Sequence, residues 1–256
     1  MTKRMVTSAV FAGFAAGLIA VLLHFAFVQK LILLSEQYES GTLTHFAGGS
    51  STHDHDVAPA QPEDPAKAEG HSHDEDGHGA GHSHGASTAS DLQRNGLTAL
   101  FMILVYTGYA LVLTAGFAAA ELWGRKIGPA EGLLWGIAGF AAFQLAPAMG
   151  LAPALPGTVA ADITARQIWW WSTVLATGGG IALLAYGRQV WAFALAGALL
   201  AAPHVIGAPE VEGYFGAAPP EVAGAFSARV LGAALVVWAA LGWIAGHFWA
   251  SSAREV

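Results

Sequence analysis

Six runs of mostly apolar residues, at 5–28, 96–120, 131–149, 167–186, 189–206 and 228–249, divide the chain. Each is near the ~20 residues an α-helix needs to cross a hydrocarbon layer. In lipid every backbone polar group must bond inside the structure, so runs of this length leave helix as the available form. Only 11% of the 256 residues are charged, against roughly 25% in a soluble domain. The expected fold is an all-α integral membrane protein, a bundle of six transmembrane helices. The count falls to five if residues 189–206, which Pro203 ends early, form a half-span. Glycine numbers 32, and small residues let helices approach closely in lipid. Gly13/Gly17 and Gly242/Gly246 are GxxxG pairs suited to such contact or to ordinary small-residue packing.

The first run follows Lys3 and Arg4 and is too long for a signal-peptide core; it ends without a small-residue cleavage site, so it reads as a retained helix. Basic residues then set the topology. With the N-terminus in the cytoplasm of a cell (inner) membrane, six crossings put Arg125, Lys126, Arg188 and Arg254 on the same side. The chain thus divides into a first helix (1–34), a His/Asp-rich non-cytoplasmic loop (35–95) and a bundle of about five further spans (96–256).

That outer loop carries eight of the eleven histidines and is expected to be disordered without a ligand. His-x-His pairs stand at His53/His55, His71/His73 and His82/His84, with His78 between and Asp54, Asp56, Asp74, Glu75 and Asp76 beside them. Imidazole and carboxylate together suit Co2+, Ni2+ and Zn2+, and loose, glycine-broken spacing favours capture and release over a fixed site. The competing reading is a low-complexity acidic linker.

The next feature is the hairpin QLAPAMGLAPALPGTVAADITARQIWWW at residues 144–171. Pro147, Pro153 and Pro156 restrict its backbone, which suggests a rigid outer mouth. Trp169, Trp170 and Trp171 suit an interfacial belt better than a cation–π site. In PHVIGAP, residues 203–209, two prolines bracket His204. That imidazole either points inward as a ligand or caps a broken helix. His24, Gln144, Asp162, Arg166, Gln167, His204, Glu210 and Arg229 all fall near the outer face, and the four charged groups among them are expected to pair with one another. His24, Gln144 and His204 are the candidate metal pathway.

Several classes are excluded. The chain has no cysteine, hence no disulfide or thiolate site. It has no phosphate-loop lysine motif and no HExxH, so it is not expected to be an enzyme. It has no basic patch for nucleic acid. No permanently bound cofactor is expected; a divalent metal would be cargo or loop-bound.

GLAPALPG at 150–157, RQIWWW at 166–171 and PHVIGAP at 203–209 occur in this order. Together with the N-terminal helix and His-containing loop, they resemble the CbtA-type cobalt transporter subunit family over nearly the whole chain. The resemblance implies a cobalt uptake system linked to cobalamin metabolism and a small single-span partner, CbtB. It also implies that Pro156, Gly157, Gln167, Trp170, His204 and Pro209 belong to the family's core. Where this chain has Ala154 the family commonly carries an acidic residue. The leading reading is therefore the membrane subunit of a divalent-metal uptake transporter, cobalt first, whose His-rich loop collects metal at the outer mouth. The alternatives are a non-transporting membrane metal-binding, sensor or assembly protein, and a nickel or zinc permease.

Overall fold

The structure, a computed structural model, describes residues 2–44, 84–213 and 215–252, with side chains from residue 90 onward in the second stretch. It is all helical. Helix α1 covers Thr2–Glu39, with a π-helical turn at His24–Val28. Helix α2 is His84–Leu122. Helix α3 starts at Pro129–Phe140 and continues through a π-helical turn, Ala141–Leu145, and a last turn, Ala146–Ala148. Helix α4 is Ile163–Tyr186, α5 is Val190–Ile206 and α6 is Pro220–Ser252.

By length and composition α1, α2, α4 and α6 can cross a membrane; α5 is apolar but shorter. The π turn in α3 has a local cause. Pro147 has no N–H for the carbonyl of Phe143 and its ring would strike it. The helix widens just before it, and the Ala146 N–H reaches back five residues to Ala141 O.

Two boundaries differ from the sequence reading. The segment 35–95 is not loop throughout: its described ends, as far as Glu39 and from His84, are helical. Extending a formed helix costs far less than starting one, and Ser35 is fully buried there. Pro203 does not end the fifth run. It sits in the last turn of α5, which continues to Ile206, and its carbonyl accepts the Gly207 N–H at 3.1 Å.

Four helices form a tight group. α1 packs along α2 and α6, and α3 packs along α6. Glycine makes both main contacts possible. A Cβ on Gly17 would stand 2.7 Å from Ile103 Cα, and one on Gly13 would strike the backbone of Thr107. Gly132 and Gly136 of α3 lie against Gly242 and Gly246 of α6; a Cβ on Gly132 would collide with Gly242 O and stand 2.9 Å from Gly246 Cα. Trp238, Trp249, Phe117 and Leu241 fill the core around this seam. α4 and α5 form a separate hairpin, packed on each other. Gly180 gives Leu200 its space there.

The closest helix pairs, α1 with α2, α1 with α6, α3 with α6 and α4 with α5, run antiparallel, and the molecule has two distinct ends. At one, called the basic end, Arg4 makes two bonds of 3.0 Å to Glu121 and a third, 2.8 Å, to Trp249 O. Its guanidinium lies 4.1 Å over the Trp249 ring, whose N–H donates to Glu121 at 2.7 Å. Arg125, over Tyr186 at 5.4 Å, belongs to this end too. The opposite end carries the proline hairpin.

Candidate functional site: a cap of converging loops

The loop between α3 and α4 is fastened on three sides. Ser227 of α6 donates to Pro153 O at 2.7 Å, and Ser35 of α1 donates to Pro156 O at 3.2 Å. Leu155, 3% exposed, packs among Val28, Leu31 and Phe226. On the third side, Thr158 forms a bridge with Gly216 and Val159 N–H donates to Phe215 O at 2.9 Å. Gly157 has φ +74°, a conformation that favours glycine, and a Cβ there would press on Ala217 and Glu39 at 3.3 Å. The rigid mouth expected from the prolines is therefore a cap held chiefly by side chains from other helices.

The three sequence motifs meet in this cap. Gly150 admits Trp169 and Ala208: a Cβ there would stand 2.7 Å from each. The Trp169 indole N–H donates to Pro203 O at 3.2 Å, joining α4 to α5. The His204 ring stands edge-on to Trp169, with centroids 6.4 Å apart. Successive helical residues point about 100° apart, so the tryptophans divide their work. Trp169 is buried, Trp170 packs on Phe143 at 6.1 Å, and Trp171, 54% exposed, is the one available as an interfacial anchor.

The candidate ligands are distributed along the cap rather than gathered. His24 opens the π turn of α1, and Gln144 lies in the π turn of α3. π turns within α-helices are frequent at functional sites. No hydrogen bond or ring contact among the described residues joins His24, Gln144 and His204. Nor does any group of three or more His, Asp or Glu residues among them stand ready to hold a metal ion. Pro156, Gly157 and Gln167 are exposed on the cap, and Pro209 is half-buried. His53, His55, His71, His73, His78 and His82 lie outside the described residues, and of His84 only the backbone, at the start of α2, is described.

The expected pairing among these charged groups is not found among the described residues. Asp162 caps α4 by accepting the Ala165 N–H at 2.9 Å. Arg229 donates to Phe27 O at 3.1 Å, a carbonyl in the π turn of α1. In both cases a backbone group takes the place of a charged partner, and at Asp162 it is one of the N–H groups that a helix start leaves free.

Sequence reasoning passed over Ser35 and Ser227, because a lone serine on a helix has no signature. It also passed over Gly132/Gly136, a GxxxG as readable as the two it found.

The comparison with known families agrees with this arrangement. A family model described as probable cobalt transporter subunit (CbtA) matches residues 2–250. The chain belongs to the CbtA family. That family is one of transporter subunits rather than enzymes, and with several helices able to cross a bilayer this CbtA-family chain is a multi-span membrane protein. No curated protein and no solved structure gives a significant match.

Proposed function

We propose that this chain is the membrane subunit of a divalent-metal uptake transporter that prefers cobalt, working beside a small single-span CbtB-like partner. The observation that carries the reading is the convergence of all three family motifs in one fastened cap, at the end where α1 finishes and α2 begins. The His-rich stretch connects those two helix ends, so both its attachments are at the cap. In this reading it faces outside and concentrates metal by attraction and weak chelation. The basic end is cytoplasmic, as the positive-inside rule requires. α3 rises about 30 Å and α5 about 26 Å, which brings the crossings to six.

The cap's own ligands are single. His204 beside Trp169, His24 and Gln144 each offer one donor, so a complete coordination set requires the His-rich stretch or the partner. A negative-inside potential favours entry of a cation by about 2.3 kcal/mol per charge per 100 mV.

The test is cobalt uptake into vesicles holding the chain alone and with its small partner, with nickel and zinc as competitors. Entry that zinc fails to block supports the cobalt reading. Cobalt bound to the chain without flux in either preparation overturns transport and leaves a membrane metal-binding protein. Deleting residues 54–84 should weaken uptake at low metal and matter little at high metal; equal loss at both sinks the collector role. His204→Ala should lower uptake at every concentration. Unchanged uptake would make that imidazole structural.

A further inference from the structure

A cavity of about 700 Å³ lies between α2, α3 and α4. Its lining runs from Arg125, Lys126 and Glu131 at the basic end to the rings of Tyr109, Phe143 and Trp238. Apart from Tyr186, the remaining side chains of its lining are apolar. The glycine triplet of α4 helps explain the space. Gly180 packs on Leu200, but Gly178 lines the cavity, and a Cβ added to it would meet nothing within 4 Å.

Charge decides what fits. Arg125 and Lys126 are exposed and form no ion pair among the described residues. Glu131 is engaged by the Gly128 N–H at 3.0 Å. At this end the two cations outnumber the single Glu131 carboxylate, so the net charge is positive: a metal cation leaving here would be opposed by it, whereas an anion is attracted to it. Length points the same way. From Glu131 to Phe143 the α3 axis rises about 18 Å, and a hydrocarbon core about 30 Å thick leaves about 15 Å for one leaflet's acyl chain. Basic pockets between transmembrane helices are known to take acidic lipid headgroups.

We propose that this cavity binds a phospholipid with a net negative headgroup: one acyl chain lies along α3 and α4 up to the Tyr109–Phe143–Trp238 aromatics, and the phosphate sits at Arg125 and Lys126. The site is separate from the cap and does not depend on the metal-transport reading.

The test uses the full chain, purified in detergent and stripped of lipid, with binding read by native mass spectrometry. Dioleoylphosphatidylglycerol is titrated against dioleoylphosphatidylcholine. One phosphatidylglycerol per chain is expected, bound in preference to phosphatidylcholine. Arg125→Ala with Lys126→Ala, both at an exposed turn, should weaken phosphatidylglycerol about thirtyfold and leave phosphatidylcholine nearly unchanged. Gly178→Leu should exclude both lipids by filling the chain's path. Equal binding of the two lipids, or retention of phosphatidylglycerol by both variants, overturns the proposal. So does glycerol phosphate binding as tightly as the whole lipid, which would reduce the site to an anion contact. An oligomer that dissociates on Gly178→Leu would instead make the cavity an interface between copies.

Discussion

Helix α3 has two faces built largely from small residues, and they behave in opposite ways. Toward α6, Gly132 and Gly136 meet Gly242 and Gly246, and the backbones touch. Toward α4, Ala138 and Ala142 look across at Gly178, Ala182 and Ala185, and a cavity of about 700 Å³ remains between them. Small residues are therefore a condition for close packing and not its cause. On the α6 face glycines from both helices fall in register, so each fills the other's hollow. On the α4 face Trp135 is placed against Gly116 of α2 and reaches α4 only at the Tyr186 ring, 6.4 Å between centroids, and Leu134 is 66% exposed. The fastening differs to match. The tight group is closed at the basic end by Arg4, Glu121 and Trp249, while the α4–α5 hairpin is tied into the cap through Trp169.

The most severe break should come from Gly242→Leu. Its Cβ would strike Gly132 O and stand 2.7 Å from Gly136 Cα, both backbone atoms that cannot swing away. A loss of about 3 kcal/mol or more is expected, seen as failure to resist mild denaturation in detergent, since overpacking alone commonly costs 1–3. A stable Gly242→Leu variant would mean that the seam is not close-packed.

Glu121→Ala comes next. It leaves the Trp249 N–H without its acceptor and Arg4 with Trp249 O alone, at a pair whose Arg4 and Glu121 side chains are 18% and 25% exposed. An effect of about 2 kcal/mol lies between the values for surface and buried pairs. Thermal unfolding in detergent would measure it, and a null result would place the clamp in bulk water.

Trp169→Phe keeps an aromatic side chain but is smaller than the buried indole and loses the bond to Pro203 O, the bond alone worth about 1 kcal/mol. Hydrogen exchange should then quicken at the ends of α4 and α5 and not along α1 and α6. Uniform quickening would show that the hairpin is not separately fastened.

The smallest effect has the opposite sign. Without anionic lipid, Gly178→Leu should stabilise by about 0.8 kcal/mol through helix propensity alone, because its side chain meets open space. Destabilisation comparable to Gly242→Leu would erase the difference between the two faces.

Much of the cap was readable in advance. The proline hairpin, the WWW run and PHVIGAP were all singled out, and they do meet. Their meeting was not readable, because it depends on Gly150 admitting both Trp169 and Ala208, the latter more than fifty residues further along the chain. His24, Gln144 and His204 share an end of the molecule but no contact among the described residues, since sequence position reports depth in the bundle and not direction around it. The charge pairing failed for a related reason. Asp162 bonds the N–H at the start of its own helix, and Arg229 bonds a backbone carbonyl of α1.

The sequence by itself determined that this chain is helical, membrane-spanning and divided into a basic end and a capped end. A bilayer requires backbone groups to be satisfied within each helix, so length and polarity declare the elements locally. The tertiary structure decided which glycines meet, where α3 is sealed and where it stands open, and that Arg125 and Lys126 guard an apolar cavity. These depend on shape and register between segments far apart in the chain, and no local pattern encodes them.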